Sequence, residues 1–185
     1  MTKSRLTPPF SIDERAALTI DMLMRVLAVC RASRYFARIT VVSPDETVLM
    51  IAEEMGAAPL RQESTGLNPA LDEARADAMT RGAEAIMVLH ADLPRLTADE
   101  IGGMIDLLGV PPAAVLAPDD TGTGTNALLL APPDALPFHF GVGSFALHRG
   151  AAEARGLRYA VAHAPGIAGD IDTPDDVHRL VGGRR

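Results

Sequence analysis

The sequence predicts an α/β fold: a mostly parallel sheet with helices on both faces. Three observations carry this. Short apolar runs of strand length alternate with capped, amphipathic stretches of helix length. The run Ile86–Leu89 is a buried-strand signature that meets Asp92, Leu93 and Pro94, and proline cannot continue a ladder. Apolar residues make up 48% of the chain but aromatics only 4%, with no Trp, so the core is one of aliphatic and Ala packing.

Taken in order, Ser11 with Glu14 reads as a capping box and opens a helix from Ile12 to about Arg31. Leu18, Met22, Val26 and Val29 recur along it at helical spacing and are core positions. Ile39–Ser43 reads as a strand, and 44–55 as a helix stopped by Gly56. Asn68 is placed to cap a helix ending near Gly82. The Ile86 strand follows, then a helix with a Thr97/Glu100 capping box that ends at Gly109. Val115–Ala117 and Ala127–Leu130 read as strands, Ser144–Arg155 as a helix and Tyr159–Ala162 as a strand. Thr173 and Pro174 mark a last helix start.

At 185 residues the chain is expected to form a single domain, 1–185. A net charge of −7 argues against nonspecific nucleic-acid binding. No apolar run reaches membrane-span length, and no secretory leader pattern opens the chain. Cys30 is the lone cysteine; it sits in a helical apolar pattern and excludes an internal disulfide framework, so a cytoplasmic location is expected. Oligomeric state is not readable, though a homodimer is compatible with so small a sheet.

Ligands of open α/β sheets bind at the carboxyl ends of strands, and an acid there can hold a divalent metal on a phosphate. Asp92 is such an acid. Residues 121–130, TGTGTNALLL, combine two glycines with Thr125 and Asn126 ahead of an apolar run. Residues 170–176, DIDTPDD, put Asp170 and Asp172 on one face if extended. Asp175 and Asp176 suit a first helical turn, where acids complement the dipole. Gly141 and Gly143 permit close backbone approach, and Ser144 lies at a helix start where N–H groups favour an anion. His148 follows one turn later; as a lone histidine it reads as structural, and neither His90, His139 nor His163 shows zinc-site spacing.

The order ADLP, GTNALLL, FGVGSFALH and DIDTPDD, with KSRL at Lys3–Leu6 and GLNPAL at Gly66–Leu71, resembles the guanylyltransferase family of coenzyme F-420 biosynthesis, typified by 2-phospho-L-lactate guanylyltransferase. The likeness spans nearly the whole chain. GTNALLL with FGxGSFxxH is its specific part, whereas ADLP and DxDTPxD belong to the wider nucleotidyltransferase superfamily. The resemblance implies a three-layer, Rossmann-like sheet of nucleotide-diphospho-sugar transferase type. It also implies transfer of GMP from GTP to 2-phospho-L-lactate, phosphoenolpyruvate or 3-phospho-D-glycerate. Family members begin with an apolar first strand that this sequence lacks ahead of Lys3, so that strand is expected to be missing.

By the same resemblance, Asp92 with Asp170 or Asp172 would hold Mg²⁺, and either acid of that last pair would serve. Lys3, a candidate catalytic cation, and Arg5 would meet the triphosphate. Gly66, Leu67 and Asn68 would lie at the base, and Asn68 offers the donor and acceptor that guanine recognition needs. Thr125, Asn126, Gly141 and Ser144 would form the pocket for the acid. His90 stands where a small residue is expected. Two other readings compete: a molybdenum-cofactor type of nucleotidyltransferase, and a nucleotide-binding module without turnover.

Overall fold

The computed structural model describes residues 11–169. Helix α1 (Ile12–Ser33) opens on the expected capping box, Ser11 Oγ accepting from the Glu14 N–H at 3.2 Å while the Glu14 carboxylate accepts from the Ser11 N–H at 2.8 Å. Strand β1 (Thr40–Ser43) leads into α2 (Glu46–Glu54), whose N-cap is Asp45, accepting from the Thr47 N–H at 2.9 Å. Gly56, at φ 76°, turns the chain into β2 (Ala58–Arg61), parallel to β1. This strand carries Pro59, which lacks a ladder donor. It is tolerated because, among the described residues, β2 pairs with β1 alone and is an edge.

Helix α3 (Leu67–Thr80) starts one residue before Asn68. The expected Asn68 cap is therefore corrected: Gly66 at φ 101° is the N-cap, with no side-chain hydrogen bond there, and Asn68 lies inside the first turn. Strand β3 (Ile86–Leu89) ends before the acid, and α4 (Ala98–Leu108) opens on the Thr97/Glu100 capping box. Strands β4 (Ala113–Pro118) and β5 (Thr125–Ala131) are joined too tightly for a helical crossover, so they pair antiparallel. Helix α5 (Ser144–Ala154), β6 (Arg158–Val161) and the short α6 (Pro165–Ala168) complete the described chain.

Two sheets result among the described residues, β1–β2 and β3–β5–β4–β6. In the larger one β3, β4 and β6 run one way and β5 the other. Side-chain alternation along β5 divides the core. Ala127 and Leu129 pack with Val26 and Cys30 of α1 and with Ile101 and Met104 of α4. Leu128 and Leu130 pack with Phe138, Phe140 and Ala152 of α5 on the other face. This is the three-layer α/β architecture the sequence predicts. Helix α1 also reaches the smaller sheet, where Leu23 and Leu27 meet Ala52 and Ala57. Cys30 is buried, and burial pushes its thiol up to about 11, which leaves it an inert core residue. No described helix is long and apolar enough to cross a membrane.

Candidate active site

The carboxyl end of β3 lies against the start of β5. Leu89 pairs with Ala127, and the His90 N–H donates to the Asn126 carbonyl at 3.1 Å. On the other side of β5, Pro118 at the end of β4 pairs with Thr125. Three strand ends therefore bring Asp92, Thr125 and Asn126 together, where ligands of such sheets bind. Asp92 follows the strand in a turn and its side chain is 22% exposed. Its Oδ1 stands 4.0 Å from His90 Nδ1, beyond hydrogen-bond length. The His90 ring in turn packs 5.4 Å from that of Phe140.

Thr125 and Ser144 meet below this point. Ser144 Oγ accepts from the Thr125 N–H at 2.8 Å, a bond between residues 1% and 2% exposed. Thr125 Oγ1 lies 3.0 Å from Nδ1 of His148, which is 0% exposed. The Nε2 of the same ring accepts from the His139 N–H at 2.9 Å. An imidazole that accepts at Nε2 carries its proton on Nδ1, so His148 donates to Thr125 Oγ1. Both hydroxyls are then used as acceptors, and each keeps its own O–H as a donor. Among the described residues neither O–H meets an acceptor. Burial, with His139 close by, holds the His148 pKa down at about 4, so the neutral form that fixes this polarity persists at neutral pH.

The loop above is Gly141–Gly143, with φ values of 128° at Gly141 and 71° at Gly143, a region that favours glycine. Among the described residues the N–H groups of Gly141, Val142 and Gly143 find no acceptor, and Val142 is 98% exposed. The expectation that the helix start itself supplies free N–H groups is met only in part. Gly143 is the N-cap of α5, Ser144 N–H donates to Gly141 O at 3.1 Å, and Phe145 N–H donates to Thr123 O at 3.1 Å. Further spare donors lie one step earlier, in the glycine loop. With the two buried hydroxyls they form a donor-rich corner suited to an oxyanion.

Asn126 has a different setting. It is 3% exposed, and its Nδ2 donates to the carbonyls of Ile167 at 2.9 Å and Ala168 at 3.2 Å. It thus fixes α6, the element from which the chain runs on to Asp170. Glu100 grips the same element, accepting from the Gly166 N–H at 2.6 Å. Asn68 is bound to the loop side: its Nδ2 donates to Phe140 O at 3.0 Å and its Oδ1 accepts from Phe140 N–H at 2.8 Å. Leu67 is 41% exposed beside it. Lys3, Arg5, Asp170 and Asp172 lie outside the described residues. Among the described residues no group of three metal-binding side chains occurs. Asp92 could supply one of the one or two carboxylates that Mg²⁺ takes, the ion otherwise keeping water and phosphate oxygens.

Sequence reasoning places Asp92, Thr125, Asn126, Gly141 and Ser144 at one end of the sheet, and they are together. It misses Phe140, whose backbone is clasped by Asn68 and whose ring stands edge-on to His148 at 4.9 Å. A buried aromatic in a glycine loop carries no periodic signal. It also misses the Glu100–Gly166 tie, because Glu100 is fully explained as a capping-box residue.

An acid at the exit of a strand in an α/β sheet is compatible with a nucleotidyltransferase, and comparison with known proteins decides the class. The family model for CofC-like guanylyl transferases matches residues 1–182, and the chain belongs to that family of enzymes. A phosphoenolpyruvate guanylyltransferase of Rubrobacter xylanophilus is 48% identical over 96% of this chain and 86% of its own length. One of Sphaerobacter thermophilus is 43% identical over 97% of the chain and 86% of its length. A 3-phospho-D-glycerate guanylyltransferase of Colwellia psychrerythraea is 32% identical over 97% and 85%. Among solved structures, a protein described as a nucleotide-diphospho-sugar transferase, from Desulfovibrio desulfuricans G20, superposes with a TM-score of 0.76 at 16% identity, covering 96% of this chain and 79% of its own. That likeness bears on the fold. The family match decides for a guanylyltransferase over the molybdenum-cofactor type and over a module without turnover.

Proposed function

We propose that the protein transfers GMP from GTP to phosphoenolpyruvate, with release of pyrophosphate, as a step of coenzyme F-420 assembly. 3-Phospho-D-glycerate is the second acceptor to test and 2-phospho-L-lactate the third. The observation that carries the reading is the donor-rich corner of Thr125, Ser144 and the Gly141–Gly143 loop beside Asp92, suited to a small phosphorylated carboxylate. The two most similar relatives described above, both named for phosphoenolpyruvate, support the order of acceptors.

An acceptor phosphate oxygen attacks the α-phosphorus of GTP, and the bond to the pyrophosphate oxygen breaks. The attacking phosphate is already ionised, so no general base is required. The obstacle is repulsion between anions, and the protein meets it with positioned donors and cations. Asp92 with Asp170 or Asp172 would hold Mg²⁺, which when bound offsets charge on the phosphates. Lys3 and Arg5 would add positive charge at the triphosphate. The backbone at Gly66 and Leu67 would flank the nucleotide. Gly141 and its neighbours would hold the acid, with Thr125 and Ser144 as the floor and Asn126 anchoring α6. A cytoplasmic location suits GTP and glycolytic acids as substrates.

Pyrophosphate release tests this, with GTP, ATP or CTP and each acid in turn. Release that requires GTP and one of the three acids supports the reading. Release with CTP and none of them contradicts it.

A further inference from the structure

Asn68 and Phe140 are 72 residues apart in sequence, yet one side-chain amide binds both backbone groups of Phe140. The pair is partly buried, with bonds of 2.8 and 3.0 Å. Phe140 immediately precedes Gly141, so whatever fixes Phe140 fixes the entrance of the glycine loop. Its ring is packed on two further sides, 5.4 Å from His90 and 4.9 Å from His148. His90 lies two residues before Asp92, and His148 sets the polarity of Thr125. Phe140 therefore stands between His90 and His148, and its backbone position is set from α3 by Asn68. In this geometry the amide's bonds point to Phe140: one N–H and one carbonyl lone pair are already spent there.

We propose that Asn68 is a positioning residue for the acceptor loop and acts through Phe140, not a reader of the guanine base. This rests on the guanylyl-transfer reading and deepens it. The segment that borders the nucleotide side would thereby also hold the acid side, so that both substrates meet on one rigid frame. A base reader and a loop holder differ in which substrate notices the change.

The test is Asn68→Ala, with Asn68→Asp as a near-isosteric partner that keeps the acceptor for Phe140 N–H and turns an oxygen against Phe140 O. Michaelis constants for GTP and for phosphoenolpyruvate, and the preference for GTP over ATP, are measured for both variants and the wild type. The expected result is a rise of about tenfold or more in the constant for the acid, since the Ala variant loses both bonds to Phe140, each of modest net value. The constant for GTP and the preference for guanine stay within about twofold, and the Asp variant shows the same one-sided effect if the Ala variant does not fold. A loss of guanine preference with the acid constant unchanged would overturn the proposal, as would no change in either. Silence of the wild type with all three acids overturns the guanylyl-transfer reading and the proposal with it, whereas an active wild type with an unaffected variant overturns the proposal alone.

Discussion

His148 decides which way the Thr125 hydroxyl points, and this has a consequence for stability. Its pKa is about 4 in the folded protein, pushed down by burial and then by His139, against an ordinary value near 6.5. A histidine held below its unfolded value does not weaken the fold above about pH 6.5. As pH falls from there toward 4, the unfolded chain takes up a proton that the folded protein refuses, and stability is lost progressively, on the order of 3 kcal/mol in all. Thermal unfolding of wild type and His148→Gln between pH 7 and 4.5 checks this: the wild type loses stability more steeply, and parallel curves would refute the assignment. Asp92→Asn leaves the fold intact, since the residue is at a strand exit and not in the core, and lowers turnover roughly 100-fold or more, as with other single groups that stabilise transition-state charge. Melting temperature and pyrophosphate release read the two effects separately. Asp92 is legible in the sequence because an apolar run that meets an acid and a proline has one meaning in such a sheet. The tautomer of His148 is not, because it depends on the backbone of His139 folding back across α5.

Elements matter here mostly as anchors. Helix α6 has four residues; Ile167 anchors it in the core, and Asn126 and Glu100 hold its backbone. A Cβ on Gly166 would overlap the Arg95 carbonyl oxygen and the Glu100 carboxylate. Gly166→Ala therefore costs about 1–3 kcal/mol despite the better helix propensity of alanine, measurable by urea unfolding. Asn126→Ala strips the Ile167 carbonyl of its side-chain donor, leaves the Ala168 carbonyl to the Asp120 N–H, and so loosens α6 ahead of the proposed metal acids. The expected outcome is a several-fold rise in the Mg²⁺ concentration for half-maximal rate with GTP preference unchanged, read in a metal titration. Capped helices were readable from the chain, both capping boxes being local four-residue patterns. Strand β2 was not, since Pro59 argues against a strand and only its edge position permits one. The hairpin of β4 and β5 changes strand direction within a pattern that otherwise reads as parallel, and its short connection is the physical reason.

At the scale of the molecule, the sheet delivers three strand ends to one corner, and the glycine loop and α3 close over it. The alternating pattern predicts the layers, and family resemblance predicts the chemistry. What neither reveals is the set of long-range clasps, Asn68 to Phe140 and Asn126 to α6, that hold the loops in register. Guanylyl transfer to a small phosphorylated acid is the central claim, and competition tests it most directly. The protein is given GTP, Mg²⁺ and an equal mixture of phosphoenolpyruvate, 3-phospho-D-glycerate and 2-phospho-L-lactate, and the products are identified by mass. The account predicts the diphosphate-linked conjugate of GMP and phosphoenolpyruvate as the main product. GTP left intact, or GMP joined to none of the three acids, would contradict it.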